Sequence, residues 1–327
     1  MKILVTGGAG FLGGRIVKAL LSRVHEVVLM IRGGRRRGLP EEASIVDGDV
    51  RDADLFLKAA EGCHAIIHTA AMVKIWSPRL QDFDDINVGG IRNAIAAAKA
   101  RGIRLVYTSS FFAVGPTGTS PADESQTHPG GYGNDYERTK ALADEVARGY
   151  AREGGDIVIL YPGVVYGPGE LTDGNLVAKL LADQMNGVLP GIVGPGDRLW
   201  SYAFVDDVAE AHVAALEPAR KGERYLLGGA NATLNEVFDI ASKRTGRDLR
   251  PRRLPLGLAR VIGRAMWIWA DVTGRMPDLT HQAVGIFEKN WAYRSDKAVR
   301  ELGYRVRPLE EGIRSTVDWL VEEGHAR

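Results

Sequence analysis

The chain has 327 residues, of which 45% are hydrophobic and 25% are charged, and its net charge is +1. This composition is typical of a globular protein of about two domains, or of one large domain with an appended lobe. A net charge so close to zero does not point to nucleic acid or an acidic membrane as partner. The single cysteine, Cys63, excludes an internal disulfide and a thiolate metal cluster.

The chain shows no pattern of a membrane or secreted protein. No segment reaches the roughly 18 uncharged apolar residues that a membrane span needs, so we expect no integral membrane segment. Strand-like sequence begins at Lys2, which leaves no room for a signal peptide. We therefore expect a cytoplasmic protein that acts on a small molecule.

The first strand leads into a glycine turn. The apolar run at 3–5 is followed by Gly7, Gly10 and Gly13, and then by a helix-like pattern. In such a turn the first glycine allows the tight bend, the second lets the backbone approach a pyrophosphate, and the third lets helix and strand pack closely. The helix amides near Phe11 and Leu12 would then hold the anion. The sequence predicts a dinucleotide site here rather than a simple turn.

Strand-like and helix-like segments alternate through the first half of the chain. Predicted strands cover 2–6, 26–31, 44–47, 65–69, 104–109 and 157–161, and predicted helices cover 12–22, 53–61, 88–101 and 136–153. This alternation predicts an α/β fold of the Rossmann type, a doubly wound parallel sheet with helices on both faces. Ligands of such sheets bind beyond the carboxyl ends of the strands.

The pattern loosens after Pro162. A helix is predicted at 175–186, a strand at 202–205, a helix at 206–216, and three further helical stretches from Thr233 onward. We therefore predict a dinucleotide-binding domain at 1–162 and a smaller, mostly helical substrate lobe at 163–327. The chain is expected to return to the first domain at about 200–216.

The end of the second strand favours NADP over NAD. An enzyme that prefers NAD usually has an acid there, which accepts from the ribose 2′-hydroxyl. This chain has Arg32, whose forked donors suit a 2′-phosphate. The arginines at 35–37 could serve the same phosphate or form a solvated loop. Asp49, followed by Val50 at the end of the third strand, could accept from the adenine amino group.

The catalytic candidates follow the fifth strand. Tyr136 and Lys140 are four residues apart on a predicted helix, so they share a face, and the ammonium can depress the pKa of the phenol and hold the nicotinamide ribose. Tyr136 could then exchange a proton with a substrate oxygen during hydride transfer. Ser110, at the strand end, could donate to the same oxygen, whereas the neighbouring Ser109 is expected to tie off the strand.

The same Tyr–Lys spacing occurs a second time, at Tyr293 and Lys297. There Ser295 or Asp296 resembles a helix N-cap, which would place the tyrosine before its helix. This second pair also lies far beyond the sheet-building half. We therefore interpret Tyr293 as structural.

Together these motifs resemble those of an extended short-chain dehydrogenase/reductase, a member of the NAD-dependent epimerase/dehydratase superfamily. The resemblance runs nearly from end to end. The region from Asn290 to Tyr304 is similar to dihydroflavonol-reductase-like proteins, and the 3β-hydroxysteroid dehydrogenases are related members. The residues that carry the resemblance are Gly7, Gly10, Gly13, Gly48, Asp49, His68, Thr69, Ala70, Ala71, Asn87, Thr108, Ser109, Ser110, Tyr136, Lys140, Pro162, Gly163, Tyr166, Gly167, Pro168 and Gly169.

The resemblance implies roles for these residues. Ser110, Tyr136 and Lys140 would form the catalytic set. The loop that contains Thr69, Ala70 and Ala71 would line the cofactor, and Pro162 would lie by the nicotinamide carboxamide. Asn87 is expected to serve the fold. The resemblance also implies a homodimer through the helices at 88–101 and 136–153.

Members of this family differ in the class of substrate that they bind. Epimerases resembling the galactose type hold the sugar-nucleotide diphosphate with an arginine just before the strand at 202–205, and this chain has Trp200 there. Losing that cation disfavours a diphosphate, although Arg198 could partly substitute for it and Asn175 with Leu176 resembles a diphosphate-binding pair. The apolar segments at 72–76, 111–112 and 266–269 favour an apolar substrate if they line the cleft.

Three functions stay open at this point. The first is an NADP(H)-dependent ketone/alcohol oxidoreductase, and the second is a nucleotide-sugar epimerase or dehydratase with tightly bound cofactor. The third, a cofactor-sensing regulator, is disfavoured because such proteins commonly lose the tyrosine or the lysine. The helix with Trp267 and Trp269 could be core, a subunit contact or a membrane-surface contact, because Arg260 and Arg264 flank it.

Overall fold

The computed structural model describes residues 1–33, 38–217 and 219–326. Its strands form where short apolar runs rich in β-branched residues can be buried. The strands are β1 Lys2–Thr6, β2 Glu26–Ile31, β3 Ser44–Asp47, β4 Ala65–His68, β5 Arg104–Thr108, β6 Ile157–Pro162, β7 Val164–Tyr166, β8 Ile192–Val193, β9 Leu199–Phe204, β10 Arg224–Leu227, β11 Ala230–Thr233 and β12 Arg253–Leu254.

The helices follow the predicted apolar spacing in the first half and are more broken up in the second. They are α1 Phe11–Leu21, α2 Ala53–Ala59, α3 Gln81–Phe83, α4 Gly90–Arg101, α5 Phe111–Val114, α6 Asp135–Arg152, α7 Leu176–Met185, α8 Val205–Ala214, α9 Leu234–Thr245, α10 Leu256–Thr273, α11 His281–Ile286, α12 Asp296–Leu302 and α13 Leu309–Glu322. A π-helical turn, Asp84–Gly89, leads into α4.

The predicted doubly wound sheet is confirmed. Seven parallel strands lie in the order β10-β6-β5-β4-β1-β2-β3. Alternate residues of each strand enter two cores: Leu4 packs on the side of α2 and α4, whereas Ile3 and Val5 pack on the side of α1 and α8. All three side chains are fully buried, as expected for a sheet with helices on both faces.

The chain comes back to the first domain through a helix and then a strand. The predicted helix at 206–216 is present as α8, which packs on α1. The return continues into β10, which pairs with β6 as the edge strand. The run Arg224–Leu227 is short and follows a loop, so its apolar pattern is too brief to identify it as a strand. The domain boundary at 162 stays a prediction.

The C-terminal lobe contains helices and two small sheets, β11-β9-β7 and β12-β8. The sequence predicted three helical stretches after Thr233, but the structure has five, α9 to α13. Glycines in the left-handed conformation end three of them, at Gly246, Gly274 and Gly303. Within the described residues, no helix has the length and apolar character to cross a membrane.

Candidate active site

The glycine turn joins β1 to α1 and leaves room for an anion. Gly7 has a φ of +74°, and the Gly10 amide donates to the Gly7 carbonyl at 2.9 Å. A Cβ at Gly13 would lie 2.0 Å from that carbonyl oxygen, so only glycine fits there. Gly10 is the N-cap and has no side chain to cover the first amides of α1. The geometry fits a pyrophosphate against the amides of Phe11 and Leu12.

Two arginines flank one carboxylate at the edge where β2 and β3 end. Arg32 is 66% exposed, and its Nη1 lies 3.6 Å from Asp49 Oδ2. Arg51 donates from Nε to Asp49 Oδ1 at 3.0 Å and from Nη2 to Oδ2 at 2.7 Å, which lowers the pKa of that carboxyl. The predicted acceptor for adenine therefore already accepts from Arg51. The arginines at 35–37 lie outside the described residues.

Arg51 is a candidate cofactor residue that sequence reasoning missed. It lies beside the predicted Arg32 because both strands end at the same edge of a parallel sheet. The signal was present, since Arg51 follows Asp49 by two positions. A basic residue at the end of the third strand can reach the same phosphate as one at the end of the second.

The loop after β4 lies against the glycine turn. The Thr69 hydroxyl donates to the Thr6 carbonyl at 2.8 Å, and the Ala70 amide donates to the Thr6 hydroxyl at 3.3 Å. A Cβ at Gly7 would lie 2.6 Å from Thr69 Oγ1. The next residue, Ala71, is small and partly exposed, as is Ala70. The loop can therefore line a cofactor with its backbone and methyl groups.

Val50 and Pro162 lie where the two ends of the cofactor are predicted, the adenine end near Val50 and the nicotinamide end near Pro162. Val50 is buried beside α4, where Asn93 Nδ2 donates to its carbonyl at 2.8 Å. Pro162 ends β6 and is paired with Leu227 of β10. Both residues lie at the carboxyl ends of strands, the edge at which ligands of such sheets bind.

Two helix starts bring Ser110 and Tyr136 together. Ser110 is the N-cap of α5, and its Oγ accepts from the Phe112 amide at 3.2 Å. Tyr136 is the second residue of α6, whose start is fixed by Asn134 Oδ1, which accepts from the Glu137 amide at 2.8 Å. The Ser110 hydroxyl lies near the Tyr136 phenol and acts to lower the pKa of that phenol.

Lys140 lies one turn beyond the tyrosine and is only 2% exposed. Its ammonium donates to the Thr108 carbonyl at 2.9 Å and to the Tyr107 hydroxyl at 3.4 Å, and burial lowers its pKa to about 7. Burial also raises the pKa of Tyr136 to about 12, with the Ser110 hydrogen bond opposing the rise. The pKa of the phenol is thus raised where the sequence predicted it to be lowered, because burial is the largest cause of the shift.

Asp144 is a second residue that sequence reasoning missed. It is 4% exposed and accepts a hydrogen bond from Ser109 Oγ at 3.4 Å. Its charge raises the pKa of Lys140, which opposes the effect of burial, while burial raises the pKa of Asp144 itself. The signal was its position four residues after Lys140, on the same helix face. The contact also accounts for Ser109, which holds Asp144 and does not pair with Tyr136.

Asn87 joins two parts of the site. It lies in the π-helical turn Asp84–Gly89 and is 3% exposed. Its Oδ1 accepts from the Met72 amide at 2.8 Å, and its Nδ2 donates to Thr139 Oγ1 at 2.9 Å. The side chain therefore ties the loop after β4 to α6, in agreement with the expectation that it serves the fold.

Aromatic rings form one side of the site. Phe112 lies edge-on to Tyr136, with ring centroids 5.5 Å apart, and contacts Trp291 at 4.8 Å. Trp200 is 7% exposed and stacks on Phe287 at 5.1 Å. Trp200 and Trp291 are paired by a β-bridge, in which the Ser201 amide donates to the Trp291 carbonyl at 2.9 Å. Trp200 is therefore part of the structure that supports Trp291.

The other apolar residues expected at the cleft are divided among different environments. Trp76 is buried, Trp267 lies edge-on to His281 at 6.0 Å, and Trp269 is 46% exposed. The structure therefore brings only part of the predicted apolar set to Tyr136.

The residues that could grip a diphosphate have other partners. Arg198 is paired with the neighbouring Asp197 at 3.4 Å. Asn175 is fully buried, and its Nδ2 donates to the Gly167 carbonyl at 3.0 Å. These contacts weaken the case for a sugar-nucleotide diphosphate.

The fold and the site together define an NAD(P)-dependent enzyme of the extended short-chain dehydrogenase/reductase type. The sequence model of the NAD dependent epimerase/dehydratase family matches residues 3–228. The chain therefore belongs to that family.

Two curated relatives are similar over almost the whole chain. A putative dihydroflavonol 4-reductase from Synechocystis sp. is 31% identical, over 99% of this chain and 95% of the relative. Sterol demethylase protein B from Methylococcus capsulatus is also 31% identical, over 99% of both chains. Relatives named as reductases and dehydrogenases are consistent with an oxidoreductase.

Solved structures agree with the fold. The crystal structure of gox2253 has a TM-score of 0.82 at 29% identity and covers 99% of both chains. A UDP-glucose 4-epimerase from Thermus thermophilus, solved with NAD, has a TM-score of 0.74 at 25% identity and covers 98% of this chain and 99% of its own.

Proposed function

We propose that the protein is an NADP(H)-dependent oxidoreductase that interconverts a ketone and a secondary alcohol on an apolar substrate, as dihydroflavonol reductases do. The observation that carries the proposal is the position of Tyr136. Its phenol lies near the Ser110 hydroxyl and edge-on to Phe112, and Lys140 is one helical turn away. A carbonyl placed here would meet two hydroxyl donors beside an aromatic surface.

When NADPH is bound, it supplies the hydride that adds to the carbonyl carbon. Tyr136 donates its phenol proton to the carbonyl oxygen, so that the ketone becomes a secondary alcohol and the phenol becomes a phenolate. Ser110 donates a hydrogen bond to the same oxygen and stabilises the charge that develops there. The Lys140 ammonium stabilises the phenolate and holds the nicotinamide ribose. Alcohol oxidation uses the same groups in reverse.

The proposed cofactor site extends from the glycine turn to the catalytic helix. Its residues are Gly7, Gly10, Phe11, Leu12, Gly13, Arg32, Asp49, Val50, Thr69, Ala70, Ala71, Tyr136, Lys140 and Pro162. The positive charge of Arg32, with Arg51 beside it, supports NADP over NAD because a 2′-phosphate needs cationic partners.

The cofactor preference can be tested at Arg32. We expect Arg32→Ser to weaken NADPH binding by roughly tenfold and to leave NADH binding within about twofold. Fluorescence titration of both nucleotides measures this. Equal losses for NADPH and NADH would contradict the assignment.

A second candidate function is a nucleotide-sugar epimerase or dehydratase. It is favoured by the likeness to the T. thermophilus epimerase, and disfavoured by Trp200 in place of a diphosphate-binding arginine. Purified protein should be assayed for NADPH consumption with panels of ketones and of sugar nucleotides, and its absorbance should be recorded for retained cofactor. NADPH consumption with apolar ketones supports the reductase. Sugar-nucleotide conversion without net NADPH consumption would overturn it.

We also propose a homodimer through α4 and α6. The two helices pack side by side, and a surface groove between them is lined in part by Val88, Arg92, Leu142 and Val146. Light scattering at micromolar concentration should give the mass of two chains, and a monomer would contradict the proposal. The cytoplasmic location stays a prediction.

A further inference from the structure

The helix α10 has an apolar face that points to solvent. Five large side chains on this face are exposed: Leu258 by 51%, Val261 by 68%, Ile268 by 52%, Trp269 by 46% and Val272 by 81%. Their spacing of three, four and seven residues places them along one side of the helix. A continuous exposed apolar stripe of this kind marks an interaction surface.

Close packing behind α10 prevents a rotation of the helix that would bury this apolar stripe in the protein. Its opposite side is made of small residues, Ala259, Gly263 and Ala270, which are buried. A Cβ at Gly263 would lie 2.6 Å from the His281 amide nitrogen, so α11 packs directly on the helix backbone. Larger residues would not fit on this side. The apolar stripe is therefore held outward by the close contact behind it.

Arginines lie along one edge of the stripe and beyond both ends of the helix. Residues 252–275 contain five arginines and one carboxylate, Asp271, although the whole chain has a net charge of only +1. Arg252 and Arg253 precede the helix, and Arg275 follows it. The other two arginines, at 260 and 264, form a polar edge on the helix itself. Arg260 is paired with Glu288, so the positive charge of this region comes from Arg252, Arg253, Arg264 and Arg275 and is offset in part by Asp271.

We propose that this face of α10 docks on an anionic lipid surface, with the helix lying in the plane of the headgroups. An amphipathic helix with arginines at its edge and large apolar side chains on its face is suited to this position. Trp269, half exposed at the border of the stripe, suits the interface between headgroups and acyl chains. The arginines before and after the helix would contact lipid phosphates. The binding does not depend on the reaction proposed above.

A second copy of the chain fits this face less well. The helix has 18 residues. Its face is therefore about 27 Å long and about 10 Å wide. The resulting area of about 270 Å² is far below the roughly 800 Å² that each partner buries in a stable interface. A two-fold contact would bring Arg252 and Arg253 of one copy near Arg275 of the other if the helices were antiparallel, and near their own counterparts if the helices were parallel. Like charges at both ends oppose either arrangement, whereas lipid phosphates neutralise them.

The test is co-sedimentation of the full chain with vesicles of phosphatidylcholine alone and of phosphatidylcholine with one part in four of phosphatidylglycerol. We expect binding to the anionic vesicles, weaker binding to the neutral ones, and at least a fivefold loss between low and high salt. We expect Val261→Glu to reduce binding at least tenfold, because it places a carboxylate in the apolar stripe. Arg264→Gln should reduce binding to the anionic vesicles only.

The matched control is Val321→Glu, because Val321 is also an exposed valine on a helix, α13, at 52%. It should bind the vesicles as the wild type does, and all three variants should melt within a few degrees of it. Absence of wild-type binding to the anionic vesicles would overturn the proposal, and so would equal binding by Val261→Glu. The proposal would also be overturned if the protein formed an oligomer without lipid and if Val261→Glu, but neither of the other variants, reduced the mass of that oligomer. That result would assign the face to a second copy of the chain.

Discussion

Two segments of the molecule have a tyrosine followed four residues later by a lysine, and the structure uses them in different ways. Tyr136 and Lys140 both lie on α6, at the edge where cofactors bind, and Lys140 is buried. Tyr293 lies before α12, so only Lys297 is on that helix. The spacing is the same, but only the first pair shares a helix face.

The second pair is occupied by structural contacts. The Tyr293 hydroxyl donates to the Gly115 carbonyl at 2.6 Å and is almost completely buried. Lys297 donates to Glu223 Oε2 at 2.5 Å and to the Arg224 carbonyl at 2.8 Å. These contacts fix the loop after α5 and the start of β10. A motif of two residues thus gains catalytic meaning only from its position in the fold.

The largest expected effect separates the two tyrosines. We expect Tyr136→Phe to lower kcat for ketone reduction by about 10³-fold, because phenylalanine has no proton to donate and the far less acidic Ser110 hydroxyl only hydrogen-bonds the oxygen. NADPH binding should stay within a few-fold, since the ring is retained. Steady-state kinetics with a ketone from the panel and fluorescence titration with NADPH measure the two effects.

Tyr293→Phe is the matched control, because it removes the same hydroxyl from the second pair. Its kcat should stay within about threefold of the wild type. An equal loss of kcat in Tyr136→Phe and Tyr293→Phe would contradict the assignment of different roles to the two tyrosines. It would show that both hydroxyls affect activity only by stabilising the structure.

A smaller effect is expected for the lysines. Lys140→Met should lower kcat by about 10²-fold, because it removes the buried charge that stabilises a phenolate. Lys297→Met removes a partly exposed ion pair with Glu223 and should leave kcat nearly unchanged. Steady-state kinetics of the two variants measures this. Comparable activity in both would contradict the electrostatic role of Lys140.

The pH dependence tests Asp144. Its carboxylate raises the pKa of Lys140, which burial has lowered to about 7. Removing that charge in Asp144→Asn lowers the lysine pKa further, so the ammonium is lost at a lower pH. The alkaline limb of kcat/KM should move down by roughly one pH unit. In Glu145→Gln, which changes the next and exposed residue, the limb should not move; a shift upward in Asp144→Asn would contradict the assignment.

The smallest effect concerns stability. Tyr293→Phe removes the hydrogen bonds from the phenol to the Phe111 and Gly115 carbonyls, while Gln126 still donates to Gly115, and we expect the free energy of unfolding to fall by about 1 kcal/mol. Chemical denaturation measures the change. Tyr132→Phe, at a 41% exposed position, should change the free energy of unfolding by less than half as much. A larger loss in Tyr132→Phe would reverse the structural interpretation.

Local patterns in the sequence predicted the features that depend on neighbouring residues. The glycine turn at Gly7, Gly10 and Gly13 and the six strands up to Pro162 follow from short-range spacing, and the predicted parallel sheet is present. The position of Tyr136 relative to the fifth strand was sufficient to place it near Ser110. These features require no knowledge of distant contacts.

The features that were missed depend on contacts between distant or differently oriented residues. Trp291 reaches Phe112 from the far end of the chain, and β10 is a strand because β6 offers it an edge. Whether the pKa of Tyr136 is raised or lowered depends on how deeply the phenol is buried, and residue spacing does not predict burial. Arg51 and Asp144 could have been found from their spacing to Asp49 and Lys140, if both strand ends and the helix face had been considered.

The most direct test of the proposed function is the transfer of deuterium from [4,4-²H₂]NADPH, labelled on both faces of the nicotinamide, to an apolar ketone. The account predicts deuterium on the carbinol carbon of the product, with one NADPH oxidised per alcohol formed, for the wild type and for Tyr293→Phe. Tyr136→Phe should form almost no labelled alcohol while it still binds NADPH. Labelled alcohol from Tyr136→Phe at the wild-type rate would contradict the account, and so would a wild-type product without the label.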